Sequence, residues 1–105
     1  MREELRQQAH PKIRFVTELG GERRAALSNG PQVWTVAEAW LAHTGGDRDV
    51  ATVAHSTGLT TTEVEAALAY WADFREEIDQ LLARQRQAQD DALAAWERPE
   101  ALNSA

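Results

Sequence analysis

VAHSTGLTTTEVEAAL, Val53 to Leu68, decides the fold. Thr60 followed by Glu63 is a capping box, which opens a helix whose apolar positions are Val64, Ala67, Leu68 and Trp71. Gly58 supplies the turn before it, and Asp49 is placed to cap the preceding helix, which runs to about Thr57. Ala54 is small enough for the second helix to cross the first closely. Val53, Leu59, Val64 and Leu68 fall at the offsets that lock the crossing angle. This is the spacing of a helix-turn-helix, a pairing used by DNA readers and by many other proteins.

Working outward, Thr35 and Glu38 form a second capping box, followed by Val36, Ala39, Trp40 and His43, with Gly45 and Gly46 as the stop. Upstream, Lys12–Thr17 alternates: Ile13 and Phe15 face one way, Lys12 and Arg14 the other, as in a half-buried strand. Gly20 and Gly21 suit a hairpin turn, Arg23–Leu27 is the returning strand, and SNGP (Ser28–Pro31) is a second turn. Downstream, Arg75–Glu97 contains no Gly or Pro, and Pro99 ends the segment. As a helix it would be roughly 35 Å long. Its apolar side reads Phe74, Ile78, Leu81, Leu82, then Gln85 and Gln89, then Ala92, Leu93 and Trp96. The expected fold is mainly α (α+β): a small winged helix-turn-helix domain over residues 1–74, with an N-terminal β-hairpin, and a long C-terminal helical arm over 75–105.

The 105 residues make one small domain with an appended arm, and the formal net charge is −6. The charge is uneven: residues 1–30 carry +2, residues 31–72 carry −4 and residues 73–105 carry −4. A polyanion would therefore meet the N-terminal part first. The chain has no cysteine, so disulfides, thiolate nucleophiles and cysteine-bound zinc are excluded. The start, MREELRQQAHPK, is charged throughout and has no apolar core for a signal peptide, so a cytoplasmic location is expected, without membrane contact. His10, His43 and His55 share no metal-ligand spacing and read as surface or half-buried side chains. Asp73, Glu76, Glu77 and Asp79 surround a helix start, where carboxylates favour the dipole. The serines have no convincing His/Asp partners. No enzyme, cofactor or metal site is expected.

Two surfaces remain. Thr60, Thr61 and Thr62, at the start of the second helix of the motif, suit phosphate and base-edge contacts, but that helix has no Lys or Arg and carries Glu63 and Glu65. Affinity for DNA would have to come from the hairpin cations Lys12, Arg14, Arg23 and Arg24, doubled in a homodimer. The arm is the second surface. Its stripe is continuous in phase but polar in its middle, which suits a partner better than a core; the alternative is a fourth core helix folded back on the domain. Trp34, Trp40 and Trp71 fit a small core, whereas Trp96 at the arm's tip reads as an anchor for another protein's pocket.

The order of these segments (hairpin, NGPQVWTVAEAWLAH, the Val53–Leu68 motif, then ALAYWADFREEIDQLL at Ala67–Leu82) resembles VapB-type antitoxins of the winged helix-turn-helix group, encoded beside PIN-like toxins. The tail AQDDALAAWE is similar to theirs as well, so the likeness spans Ile13 to about Trp96. The resemblance implies a domain that dimerises on its own operator, and an arm that wraps a cognate PIN-like nuclease. Ile78, Leu81, Leu82, Leu93 and Trp96 would bind the toxin. Arg84, Arg86 or Arg98 would enter its carboxylate-lined, metal-dependent site in place of the metal's charge. The acidic middle segment departs from a strong DNA binder. Two other readings stay open: a transcription regulator without a toxin, dimerised by the long helix across Gln85 and Gln89, and a purely protein-binding adaptor.

Overall fold

The computed structural model describes residues 3–97. Among them the chain forms α1 (Glu3–Ala9), β1 (Ile13–Thr17), β2 (Arg23–Leu27), α2 (Val33–Ala42), a 3₁₀ turn (Gly45–Asp47), α3 (Val50–Thr57), α4 (Thr61–Asp73) and α5 (Arg75–Glu97). The fold is mainly helical, with one two-stranded antiparallel sheet at the N-terminal side. None of these helices is long and apolar enough to cross a membrane.

The hairpin forms where the sequence places it. Ile13 pairs with Leu27, Phe15 with Ala25 and Thr17 with Arg23. Gly20 and Gly21 turn the chain at φ of 93° and 90°, a region open to glycine at no steric cost. Ala25, Ala26 and Leu27 are all buried, so β2 is covered on both faces. Small side chains allow that, which is why a strand with few β-formers holds its place.

In the helix pair, the Asp49 carboxylate accepts from the Thr52 N–H at 2.9 Å and starts α3. Gly58, at φ 75°, ends that helix, and the Leu59 N–H returns to the Ala54 carbonyl at 3.1 Å. Thr60 then caps α4: its Oγ1 accepts from the Glu63 N–H at 3.1 Å, while Glu63 accepts from the Thr60 N–H at 2.9 Å. One boundary differs. α2 starts at Val33, with Gln32 as the cap position, instead of at a Thr35/Glu38 box. Thr35 already lies inside the helix, and its hydroxyl donates back to the Gln32 carbonyl at 2.6 Å.

The core lies where α2, α4, the hairpin and the start of α5 meet. Val33, Val53, Val64, Tyr70 and Ile78 are all 0% exposed. Trp71 is buried, with Trp34 and Trp40 packed half-buried against the core. The division drawn between Phe74 and Arg75 therefore cuts through the core. Ile78 and Leu81, expected on a partner-binding arm, are interior residues of the body, and Leu82 packs half-buried beside them. Four-residue repeats of apolar side chains bury wherever a neighbour exists, and α2 and α4 supply that neighbour for the first two turns of α5. Beyond Gln85 the helix continues with its side chains exposed, and of these only Ala95 is partly covered. The radius of gyration is 16.3 Å, against about 13 Å for a compact domain of this length.

Candidate functional site

The basic hairpin expected to meet DNA has two of its four cations, Arg23 and Arg24, answered by carboxylates from within. Arg23 holds Glu3 of α1 with two hydrogen bonds, Nε to Oε2 at 2.9 Å and Nη2 to Oε1 at 2.7 Å, and donates to Thr17 Oγ1 at 2.6 Å. The Arg23 bonds keep the Glu3 carboxyl below its ordinary range. Arg24 donates to Glu22 at 3.0 Å and approaches Glu18 at 3.5 Å. Glu22 also accepts from Arg84 of α5, so two guanidiniums hold its carboxyl below the usual carboxylate range, with Arg84 contributing most. Arg14 donates to the Leu27 carbonyl at 3.1 Å. The hairpin tip, Glu18 to Glu22, presents a fully exposed Leu19 between two carboxylates. These carboxylates hold Arg24 and Arg84, so the tip offers phosphate little net positive charge.

Lys12 is placed differently. It lines a groove of about 320 Å³ with Thr62, Glu65, Ala66 and Ala69 on the outer face of α4, and with His10 at the end of the α1–β1 link. The structure thus gathers Lys12 and Thr62 at one groove, with Thr61 next in the chain, while Arg23 is held by Glu3 of α1 and Arg24 by Glu22 at the hairpin tip. Thr60 is spent on its cap.

On α5 the expected partner-binding residues split into two sets. Ile78, Leu81 and Leu82 serve the core, and Arg84 is tied to the hairpin. Arg86 is exposed and forms no ion pair among the described residues, whose ion pairs on α5 involve Arg75, Glu77, Asp79 and Arg84. Leu93 is 55% exposed and Trp96 70% exposed, on the half of the helix that runs past the body. Arg98 lies outside the described residues. From Gln87 to Glu97 the helix carries Asp90, Asp91 and Glu97 and no cation.

A third cluster escapes a reading by local pattern. α1 packs against β1 and extends Arg6, which is 7% exposed, to Tyr70 and Phe74 at the end of α4 and to Glu77 of α5. Its Nη1 donates to the Tyr70 hydroxyl at 2.5 Å and to Glu77 Oε1 at 2.8 Å, and its guanidinium carbon stands 3.8 Å from the centroid of the Phe74 ring. The Tyr70 hydroxyl donates in turn to Glu77 Oε2 at 2.9 Å. Burial first, and the Glu77 charge second, push the Tyr70 phenol far above its ordinary value, so it stays protonated and serves as a structural donor. His10, buried, donates from Nε2 to Asp73 at 2.7 Å and meets the rings of Tyr70 and Phe74 edge-on. Glu3, Arg6 and His10 stand three and four residues apart, one face of a helical turn, and that spacing is the signal by which the cluster could have been found. Every buried polar side-chain atom in it is answered except Arg6 Nε, so it fastens the fold instead of offering a reaction centre. No group of three or more His, Asp or Glu side chains converges to hold a metal among the described residues.

The sequence matches no family model, and no curated protein or solved structure matches it either.

Proposed function

We propose that this chain is a type II antitoxin: a winged helix-turn-helix body that presents a helical arm, with the arm's outer half holding a PIN-like ribonuclease toxin. The observation that carries the reading is the pair of large apolar side chains, Leu93 at 55% and Trp96 at 70% exposure, on a helix that projects beyond its own core. Exposed aromatics with an aliphatic neighbour one turn away are the usual anchors of protein interfaces. Arg86 is the cation available to the toxin's carboxylate site, because Arg84 is engaged with Glu22. The test is co-expression with the product of the adjacent open reading frame. The full chain retains that nuclease on a column and restores growth, and a chain ending at Gln87 keeps its fold but retains none. Retention undiminished by that truncation would refute the reading.

In the same proposal, operator DNA is met weakly, by a homodimer, through Lys12, Thr61 and Thr62. The paired state of Arg23 and Arg24 supports this order of importance. In a gel shift, Lys12→Glu is expected to weaken binding to the upstream DNA more than Arg23→Ala with Arg24→Ala. It is also expected to lower the salt slope by about 1 for each phosphate that the lysine no longer neutralises. The reverse ranking would return the hairpin tip to the DNA surface.

A further inference from the structure

Leu82, Arg86, Gln89, Leu93 and Trp96 follow one another at spacings of four, three, four and three residues, the alternation of a coiled-coil seam. Beside the first part of this seam the body leaves a groove of about 320 Å³, floored by Trp71 and walled by Leu41 of α2 and by Arg75, Asp79 and Leu82 of α5. The Arg75 guanidinium lies 4.8 Å from the Trp71 ring centroid, and Asp79 is already engaged by Arg75 and by the Trp71 indole N–H. A second, smaller groove of about 200 Å³ continues it along Leu41, Leu82, Arg86 and Gln89. The groove at one end of α5, apolar at Leu41, Trp71, Leu82 and Ala83 and rimmed by Arg75, Asp79 and Arg86, and the exposed Trp96 at the other are complementary parts on one molecule.

We infer that two copies of this chain pair through antiparallel α5 helices, each placing its Trp96 in the other's Leu41–Trp71–Leu82 groove. An antiparallel register that sets Leu93 opposite Leu82 of the second copy also sets Trp96 opposite Asp79, at the groove, and Gln89 opposite Arg86. Charge favours this occupant. The outer half of α5 carries Asp90, Asp91 and Glu97 with no cation from Gln87 to Glu97, and it comes to lie along Arg86 of the other copy, which forms no ion pair among the described residues. Arg86 reaches Asp90 of the second copy, twice by symmetry. Glu38 and Asp79 also face the groove, and Asp79 is offset by Arg75. The polar Gln89 and Arg86 in mid-seam then fix the register instead of merely weakening the stripe.

This pairing stands apart from the antitoxin reading: free chains pair, and a partner protein that takes the arm must separate them. Sedimentation of the full chain at about 50 μM is the test, with tryptophan emission followed on dilution. The expected result is a dimer whose emission shifts red as it dissociates, weakened about 30-fold by Trp96→Ala with unchanged circular dichroism. Arg86→Asp is expected to break the dimer, and Arg86→Asp combined with Asp90→Arg to restore it, since the swapped pair is remade across the symmetry axis. A monomeric full chain, a dimer indifferent to Trp96→Ala, or a double variant as weak as the single one would each overturn the inference. A monomer that still captures the adjacent gene's product removes the pairing and keeps the antitoxin; a dimer that captures nothing does the reverse.

Discussion

Removing residues 75–105 is expected to unfold the body, whereas ending the chain after Gln87 is expected to leave it folded. Ile78 is 0% exposed and Leu81 is 5% exposed, and both sit in the same core cluster as Val36, Tyr70 and Trp71. Losing a buried aliphatic side chain of this size costs about 2–5 kcal/mol, and two are removed together. The same cut removes Glu77, the acceptor for both Arg6 and Tyr70, and leaves those groups buried without it. Small domains have only about 5–15 kcal/mol in total, so these losses consume the margin. Residues 88–97 contribute no buried side chain, and their removal takes away only exposed helix. Far-UV circular dichroism and urea unfolding of the two truncations check this directly. A chain of residues 1–74 with a cooperative transition near that of the full protein would contradict it.

The second large effect is expected at Arg6. Arg6→Ala removes a guanidinium that satisfies Tyr70 and Glu77 and covers the Phe74 ring, and it leaves the Tyr70 hydroxyl buried with one partner fewer. Breaking a buried charged pair from one side costs about 3–5 kcal/mol. Glu77 is 38% exposed, so water recovers part of its share, and about 2–3 kcal/mol is the expected loss. Arg6→Lys is expected to recover less than half, because an ammonium cannot lie flat on Phe74 and reach both oxygens. The urea midpoint reads both variants. A change within about 0.5 kcal/mol for Arg6→Ala would show α1 to be a surface ornament.

How much of this was legible depends on where each signal lies. The α3–α4 pair was readable because every boundary carries its own chemistry: Asp49 on Thr52, glycine at φ 75° in the turn, and the reciprocal Thr60–Glu63 bonds. The hairpin was readable from alternation and two glycines. α2 misled, since Gln32 caps it with no side-chain bond and leaves no local mark. α1 was invisible because seven residues do not sustain a helix by propensity. It is held by partners 64 and 71 positions away in sequence.

The candidate surfaces show the same limit. Counting arginines on the hairpin gave a basic wing, but Arg23 finds its carboxylate on α1, 20 residues upstream, and Arg24 finds two in the turn. Along α5, the apolar phase is continuous from Ile78 to Trp96, and periodicity records only that a face exists. Where α2 and α4 cover it, the face becomes core; where the body ends, the same pattern stays open. Gln85, half-buried, marks the changeover, and sequence alone gives no reason to divide the stripe there.

The proposed division of α5 into an inner half that completes the body and an outer half that docks is tested most directly by Trp96→Asp. The measurement pairs the unfolding midpoint of the variant with its capture of the nuclease toxin proposed as its partner. The expected result is a midpoint at the wild-type value and no nuclease retained. A variant that unfolds early, or one that retains the nuclease at the wild-type level, would contradict it.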